Sequence, residues 1–437
     1  MLYIKGGYII DPKSGLEGLR DILIKDDRIA CISQTGSTLA ELLNQNGLEA
    51  YAEHMDEIDR IDAQGMIVSP GLVDVHVHFR DPGFTYKEDI ESGTKAAAGG
   101  GFTSVVLMAN TRPAVDNIET LRYVLEKGKK TGIRVYSCAN VTKGMKGEEP
   151  VDMEALSNAG AAGFTDDGIP ILDEVLLRDA LRQAAKLGKP VSLHEENPEY
   201  ITNNGINAGK AAQYYGIGGS PREAEISMVE RDIKIAVEEE ADLSIQHIST
   251  KEAVELVRQA KRHSCHIFAE ATPHHFALTE DAAIKHGTLA KMNPPLREES
   301  DRLAIIEGLK DGTIDMIATD HAPHSAEEKE KPITEAPSGI IGLETALSLG
   351  IRELVQPGHL TMMELIDKMS LAPAKLYKLD AGYLAENAPA DLIIFDKDAG
   401  WKVENFASKS ANSPFIGEAM PGVIKYTICG GKIIYEA

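Results

Sequence analysis

A chain of 437 residues with 43% hydrophobic content is long enough for one large domain plus a smaller one, and holds enough apolar side chain for a substantial core. Its formal charge of −23 repels a phosphate backbone, so nucleic acid is excluded as a partner and an anionic ligand needs a local cation. No apolar run approaches the roughly 20 residues that span a bilayer, and the opening segment from Met1 to Pro12 lacks the basic and apolar regions of a signal peptide, so no membrane segment is expected.

The first and last elements resemble each other. Ile4 to Ile10 reads IKGGYII and Ile428 to Ile434 reads ICGGKII, each a short β run around a Gly-Gly turn signal. Asp21 to Ile32 adds a hairpin with Asp26-Asp27 at its tip, and Ala390 to Phe395 adds another strand. The expectation is one small β domain assembled from both termini, residues 1–68 and 376–437, on either side of a barrel domain at 69–375. The scattered cysteines Cys31, Cys138, Cys265 and Cys429 form no CxxC and read as reduced thiols of a cytoplasmic protein.

Between the termini, strand-like apolar runs alternate with amphipathic helical stretches. In chain order the runs are 72–79, 103–110, 134–140, 162–168, 190–197, 242–249, 265–273 and 316–323. Helical stretches such as Asp173 to Leu187 and Ala224 to Glu240 separate them. Eight such alternations predict a closed (β/α)8 barrel. Gly99-Gly100-Gly101 precedes a strand, so it is no dinucleotide fingerprint but a loop needing unusual backbone angles.

Chemistry-bearing residues gather where these runs end. The first run alternates through Asp74-Val75-His76-Val77-His78-Phe79-Arg80. Side chains alternate across a strand, so His76, His78 and Arg80 are predicted to share one face, with Val73, Val75 and Val77 on the other. Two such imidazoles, about 7 Å apart along a strand, can close on one ion. His194, His247 and Asp320 end the fifth, sixth and eighth runs, on the same rim. The fourth run ends in Asp166-Asp167, read either as a turn before Gly168 or as a source of one inward carboxylate, with Asp167 favoured.

Stretches along the whole barrel resemble the dihydroorotases, of the bacterial type that has aspartate in place of a carboxylated lysine. They are GLVDVHVHFRDPG (71–83), MANTRP (108–113), FTDDG (164–168), HEEN (194–197), HISTKEAV (247–254), TPHHF (272–276), KMNPPLR (291–297), ATDHAPHSAEEK (318–329) and SGIIGLETAL (338–347). The pairing of NPPLR with TDHAPHSAEEK is the most specific part. Ala109 and Ser338 depart from the family's usual pattern.

The resemblance implies a (β/α)8 barrel with a small β-sandwich domain, and zinc as cofactor, two ions per chain or one. His76, His78, Asp167 and Asp320 would hold one ion, and Asp167, His194 and His247 the second. Arg80, Asn110 and His324 would grip a substrate carboxylate, Asn293 the pyrimidine ring, and Ser338-Gly339 would supply a backbone contact. The implied reaction is the reversible cyclisation of N-carbamoyl-L-aspartate to L-dihydroorotate in pyrimidine synthesis. A metal-held hydroxide would be the nucleophile and Asp320 the general acid and base, unless Asp320 is a ligand only. Arg80 supplies the planar fork that so acidic a protein needs for an anionic substrate, its alternative being a salt bridge to Asp81 or Asp89.

His321 is assigned a supporting role, and His274 and His275 a structural or outer one. The charged stretch Ser325 to Pro337 reads as a cover over the site that moves on substrate binding, or else as a solvated connector. A homodimer is the expected assembly. The competing functions are a hydantoinase- or allantoinase-like cyclic amidohydrolase and a catalytically silent scaffold, which would have lost metal ligands and would purify without zinc.

Overall fold

The first strand, β1 (Leu2–Asp11), runs straight through Gly6-Gly7 instead of turning there. A register shift against its neighbour falls between Ile4 and Gly7, and Gly6 has φ 69°. A side chain at Gly7 would bring its Cβ to 2.4 Å from Val68 Cγ2, so glycine is needed for a close crossing. The equivalent Gly430-Gly431 does turn, with φ 55° and 72°. The two look-alike segments thus have different structures, because the sheet meets them in different places. This computed structural model describes residues 1–437, the side chain of Glu53 excepted.

β2 (Leu16–Lys25) and β3 (Arg28–Gln34) form the expected hairpin, tipped by Asp26-Asp27. β4 (Asp59–Asp62) and β5 (Ile67–Pro70) pair parallel to β1. From the far end of the chain, β13 (Leu392–Lys402) pairs antiparallel with β5, then β14 (Ala419–Cys429) and β15 (Lys432–Glu436) follow. The sheet order is β15-β14-β13-β5-β1-β2-β3, so both termini build one sheet. Ile4, Ile22, Ile29, Leu392 and Ile428 pack inside its fold. Leu39, Leu42 and Leu43, from a helix the sequence did not announce, cover Tyr3 and Leu23 on another face.

The barrel strands are β6 (Leu72–Val77), β7 (Phe102–Leu107), β8 (Arg134–Ser137), β9 (Val191–Leu193), β10 (Leu243–Ile245), β11 (Ile267–Ala271) and β12 (Met316–Ile317). The fourth predicted strand shrinks to one residue. Phe164 bridges Ala139 on one side and Val191 on the other, both parallel. The ring closes where His321, just past β12, bridges Val77 of β6. The architecture is a (β/α)8 barrel with a small β-sandwich domain. Every barrel strand is shorter than its apolar run, because the chain leaves the ladder where the polar rim residues begin.

One expectation fails locally. Val73 and Val75 pack with Val106, Cys138, Ala162 and Met316 in the barrel interior, whereas Val77 joins Phe79, Phe102 and Leu121 beneath the helices. A register shift between Asp74 and Val77 divides the three valines. Such a bulge adds a residue to one strand and re-aims the side chains beyond it. Ala374, Leu376, Tyr377 and Ala381 join the interior cluster from the last helix, Ala372–Leu376, and the segment that follows it, and plug the end away from the rim. Among the described residues, no helix is long and apolar enough to cross a membrane.

Candidate metal centre

A cleft of about 200 Å³ opens at the C-terminal ends of the barrel strands, with His78, Asp167, His194, His247 and Asp320 in its wall. His76 lies beneath them and is fully buried. The ring centroids of His76 and His78 are 5.3 Å apart, nearer than the spacing of alternate residues on a regular strand. His78 Nε2 is 3.0 Å from Asp320 Oδ1, and His76 Nε2 is 3.5 Å from oxygens of both Asp320 and Asp167. His194 Nδ1 lies 2.9 Å from His247 Nε2 and 3.9 Å from Asp167 Oδ1. Two sets of donors converge closely enough for one ion each: His76, His78 and Asp320, and His76, Asp167 and His247. His76 therefore stands in both sets.

The donors fit a metal for reasons visible in their partners. His76 Nε2 is buried with no hydrogen-bond partner, while its Nδ1 meets Glu270 Oε1 on β11. His78 donates from Nδ1 to Asn110 Oδ1 at 2.9 Å, which frees its Nε2 lone pair. His194 Nε2 is 3.1 Å from Glu196 Oε2, which leaves Nδ1 for the cluster. These three imidazoles are each met on the outer nitrogen by an oxygen and offer the inner one, as metal-ligating histidines do, whereas the outer nitrogen of His247, Nδ1, is buried without a partner. Imidazole and carboxylate together suit zinc.

The buried imidazoles and carboxylates of the cluster shift one another strongly. Burial alone would lower the His76 imidazole, yet the Glu270 and Asp167 carboxylates hold its pKa well above the ordinary value. Burial would raise the Asp167 carboxyl, but the His76, His78 and His194 rings around it hold it far below the carboxylate range. His247 is driven well below its usual value by burial and by the charges of His194 and His76. Arg80 at φ 58°, His247 at φ 31° and Asp320 at φ 46° all have left-handed backbone, uncommon for residues with a Cβ. Strained backbone of this kind gathers at functional sites.

The remaining site residues named from the sequence, Arg80, Asn110, Asn293, His324, Ser338 and Gly339, also line the cleft. Arg80 donates to the Pro323 carbonyl and lies 3.5 Å from His324 Nε2. The Asn110 amide donates to Asp167 Oδ2 at 2.9 Å, so it touches two of the proposed ligands. A Cβ at Gly339 would lie 2.6 Å from Ala322 Cβ and 3.3 Å from His324 Nε2, so the rim passes there only as glycine. Asp166 and Asp167 part company. Asp166 accepts from the Val141 and Thr142 amides and from Asn140, anchoring the strand end, while Asp167 faces the cleft.

His321 supports the site through its backbone: its carbonyl accepts from His78 N at 2.9 Å. Its ring points away, toward Glu88 and Gly342. His275 Nε2 donates to the Pro294 carbonyl at 3.0 Å and steadies the turn that carries Asn293. The 325–337 segment is held by two buried lysines. Lys329 Nζ donates to the Pro337 and Gly339 carbonyls, and Lys291 Nζ to those of Ile333 and Ala336.

Sequence reasoning missed Glu270, Glu196, Asn204 and Lys87. For Glu270 a signal existed: Ile267, Ala269 and Ala271 face the helices, so the intervening acid faces inward on a barrel strand. Asn204 lines the cleft and accepts from the Ser338 hydroxyl at 2.9 Å, from a loop with no periodic pattern to announce it.

The amidohydrolase family model matches residues 67–434. A dihydroorotase of Clostridioides difficile (strain 630) is 52% identical over 438 residues, covering 100% of both chains. One from Lactococcus lactis subsp. lactis (strain IL1403) is 50% identical over 437 residues, covering 100% of this chain and 99% of its own. Among solved structures, the L-hydantoinase (dihydropyrimidinase) of Arthrobacter aurescens superposes with a TM-score of 0.86 at 26% identity, over 100% of this chain and 96% of that one.

Proposed function

The chain belongs to the amidohydrolase family and, within it, to the dihydroorotases of pyrimidine biosynthesis, and from that footing we propose that it cyclises N-carbamoyl-L-aspartate to L-dihydroorotate reversibly, with zinc as its metal. The observation that carries the reading is the meeting, in one cleft, of the imidazole and carboxylate cluster with the Arg80 guanidinium. His76, His78, Asp167 and Asp320 would hold one ion, and Asp167, His194 and His247 would hold a second. Bound zinc supplies a water of lowered pKa and polarises an amide carbonyl.

The protein's own residues do the rest. Arg80 and His324 grip the substrate carboxylate, Asn110 braces it, Asn293 faces the ring, and Ser338-Gly339 offers backbone groups at the rim. Asp320 moves the proton. Its contacts to His76 and His78 run through Oδ1, which leaves Oδ2 to take a proton from the attacking water and give it to the departing ring nitrogen. In the synthetic direction the same oxygen carries the proton back. The hydantoinase reading draws on the shared fold, whereas the Clostridioides difficile and Lactococcus lactis relatives, about half identical over their full length, are dihydroorotases.

Three unpaired buried cysteines, Cys31, Cys138 and Cys429, support a reducing cytoplasmic setting. We take residues 69–375 as the barrel domain, the flanking segments as the small domain, and a homodimer as the assembly.

The test is cyclisation of N-carbamoyl-L-aspartate by purified protein, with zinc counted per chain on the same sample and Asp320→Ala alongside. Zinc-dependent turnover that falls about 10²–10⁴-fold in Asp320→Ala is expected. Bound zinc without turnover would mean another cyclic amide substrate, and neither zinc nor turnover in a folded sample given metal would mean a silent scaffold.

A further inference from the structure

Lys87 lies in the segment between β6 and the helix Ile90–Gly99, outside the dihydroorotase-like motifs. Its ammonium nitrogen is 3.2 Å from His324 Nδ1 and 2.9 Å from Glu328 Oε1. An ammonium has three N–H donors and no acceptor. Facing it, Nδ1 must present its lone pair. On the opposite side of the ring, His324 Nε2 is 2.8 Å from the Ser338 carbonyl oxygen, which can only accept. Nε2 must therefore carry the proton. Two independent contacts demand the same tautomer, and His324 N, donating to Asn412 Oδ1 at 3.1 Å, fixes the backbone from which the ring hangs.

Arg80 lies close by, its guanidinium 3.5 Å from Nε2. A guanidinium also only donates, so Arg80 leaves the Nε2–H to the Ser338 carbonyl, and an anionic substrate oxygen arriving between them takes the Arg80 N–H and displaces that carbonyl from Nε2–H. Burial, then the charges of Arg80 and Lys87, push the His324 imidazole well below its ordinary pKa, in keeping with a neutral ring. Lys87 is itself held from the loop after β12. Glu328 pairs with it, accepts from the Tyr86 hydroxyl at 3.0 Å, and is fixed by the Ser325 amide.

We propose that Lys87 is a positioning residue for substrate recognition: it holds His324 as the neutral Nε2–H tautomer, so that His324 and Arg80 present paired donors to the substrate carboxylate. The inference rests on the reading of Arg80 and His324 as the carboxylate grip. It gives the charged loop a defined task, because Glu328 orients Lys87, Lys87 sets the ring, and the ring meets the ligand. With Lys87 gone, the Glu328 carboxylate, 3.7 Å from Nδ1, favours the proton on that side, and the Nδ1–H tautomer turns a lone pair instead of a donor to the substrate carboxylate.

The test compares wild type, Lys87→Met and Lys87→Arg as zinc-loaded enzymes, by ¹⁵N spectra of the histidine rings and by steady-state kinetics on N-carbamoyl-L-aspartate. A His324→Asn sample identifies the His324 signals. The wild-type ring is expected to carry its proton on Nε2 alone. Lys87→Met should show Nδ1 protonated in part, with KM raised about tenfold and kcat within about twofold, the size of one lost hydrogen bond to a charged group. Lys87→Arg, which keeps the donor, should recover most of the KM. A wild-type ring protonated on Nδ1 overturns the proposal. So does an unchanged KM in Lys87→Met, or a joint loss of kcat and KM that Lys87→Arg does not repair. Absence of turnover in wild type overturns the functional reading, and the ring spectra still decide the tautomer.

Discussion

At the plugged end of the barrel, Val73, Ala162 and Met316 meet Leu376 and Tyr377, and the strands close over apolar side chains. At the open end the same strands release His76, His78, Asp167, His194, His247 and Asp320 into a buried polar cluster, with left-handed backbone at Arg80, His247 and Asp320. One end satisfies packing everywhere. The other holds charges and strain that packing alone would reject. Stability and chemistry thus reside at opposite ends of one barrel, and substitutions at either end can break that division.

The largest expected effect on folding is at the plug. Leu376→Ala empties part of a buried cluster and should lower stability by about 2–5 kcal/mol, read by urea denaturation. Activity per folded molecule should stay unchanged; a fall in kcat would mean that the plug transmits strain to the rim. Next comes Glu270→Gln, at the boundary between interior and rim. Without the carboxylate on its Nδ1, His76 loses its fixed orientation, and zinc affinity measured by competitive chelation should fall about 10–100-fold. Retention of full affinity would assign Glu270 to folding alone.

The smallest effect is at the rim. Burial first, and then the charge of Lys291, lowers the Lys329 ammonium to about 7, against 10.5 for the free side chain. Between those values the unfolded chain binds a proton that the folded chain does not, so this group makes stability rise with pH from about 7 to 10.5. Below pH 7 both states are protonated and its contribution is flat. Lys329→Met should remove that rise from a plot of Tm against pH; an identical slope in the variant would show that Lys329 keeps its charge in the fold.

The histidines of the first strand and the acids at strand ends were legible because their positions follow from local periodicity. A strand alternates, a barrel strand ends at the rim, and a polar residue at that point stands out against the apolar run before it. The pattern failed where pairing between distant segments took over. Val77 left the face of Val73 and Val75 because β6 and β7 shift register, and the fourth strand dwindled to Phe164 because its flanks turn early to place Asp166 and Asp167.

By itself the sequence determined the eightfold alternation, the partnership of the two termini, and the metal-type residues of the rim. The tertiary structure alone decided which Gly-Gly is a turn, which nitrogen of each imidazole faces the cluster, and which carboxylate holds it there. The reason is physical: hydrophobic period and turn chemistry act over a few residues, whereas Glu270 reaches His76 and Lys87 reaches His324 across 194 and 237 residues of chain, contacts that exist only once the barrel has closed.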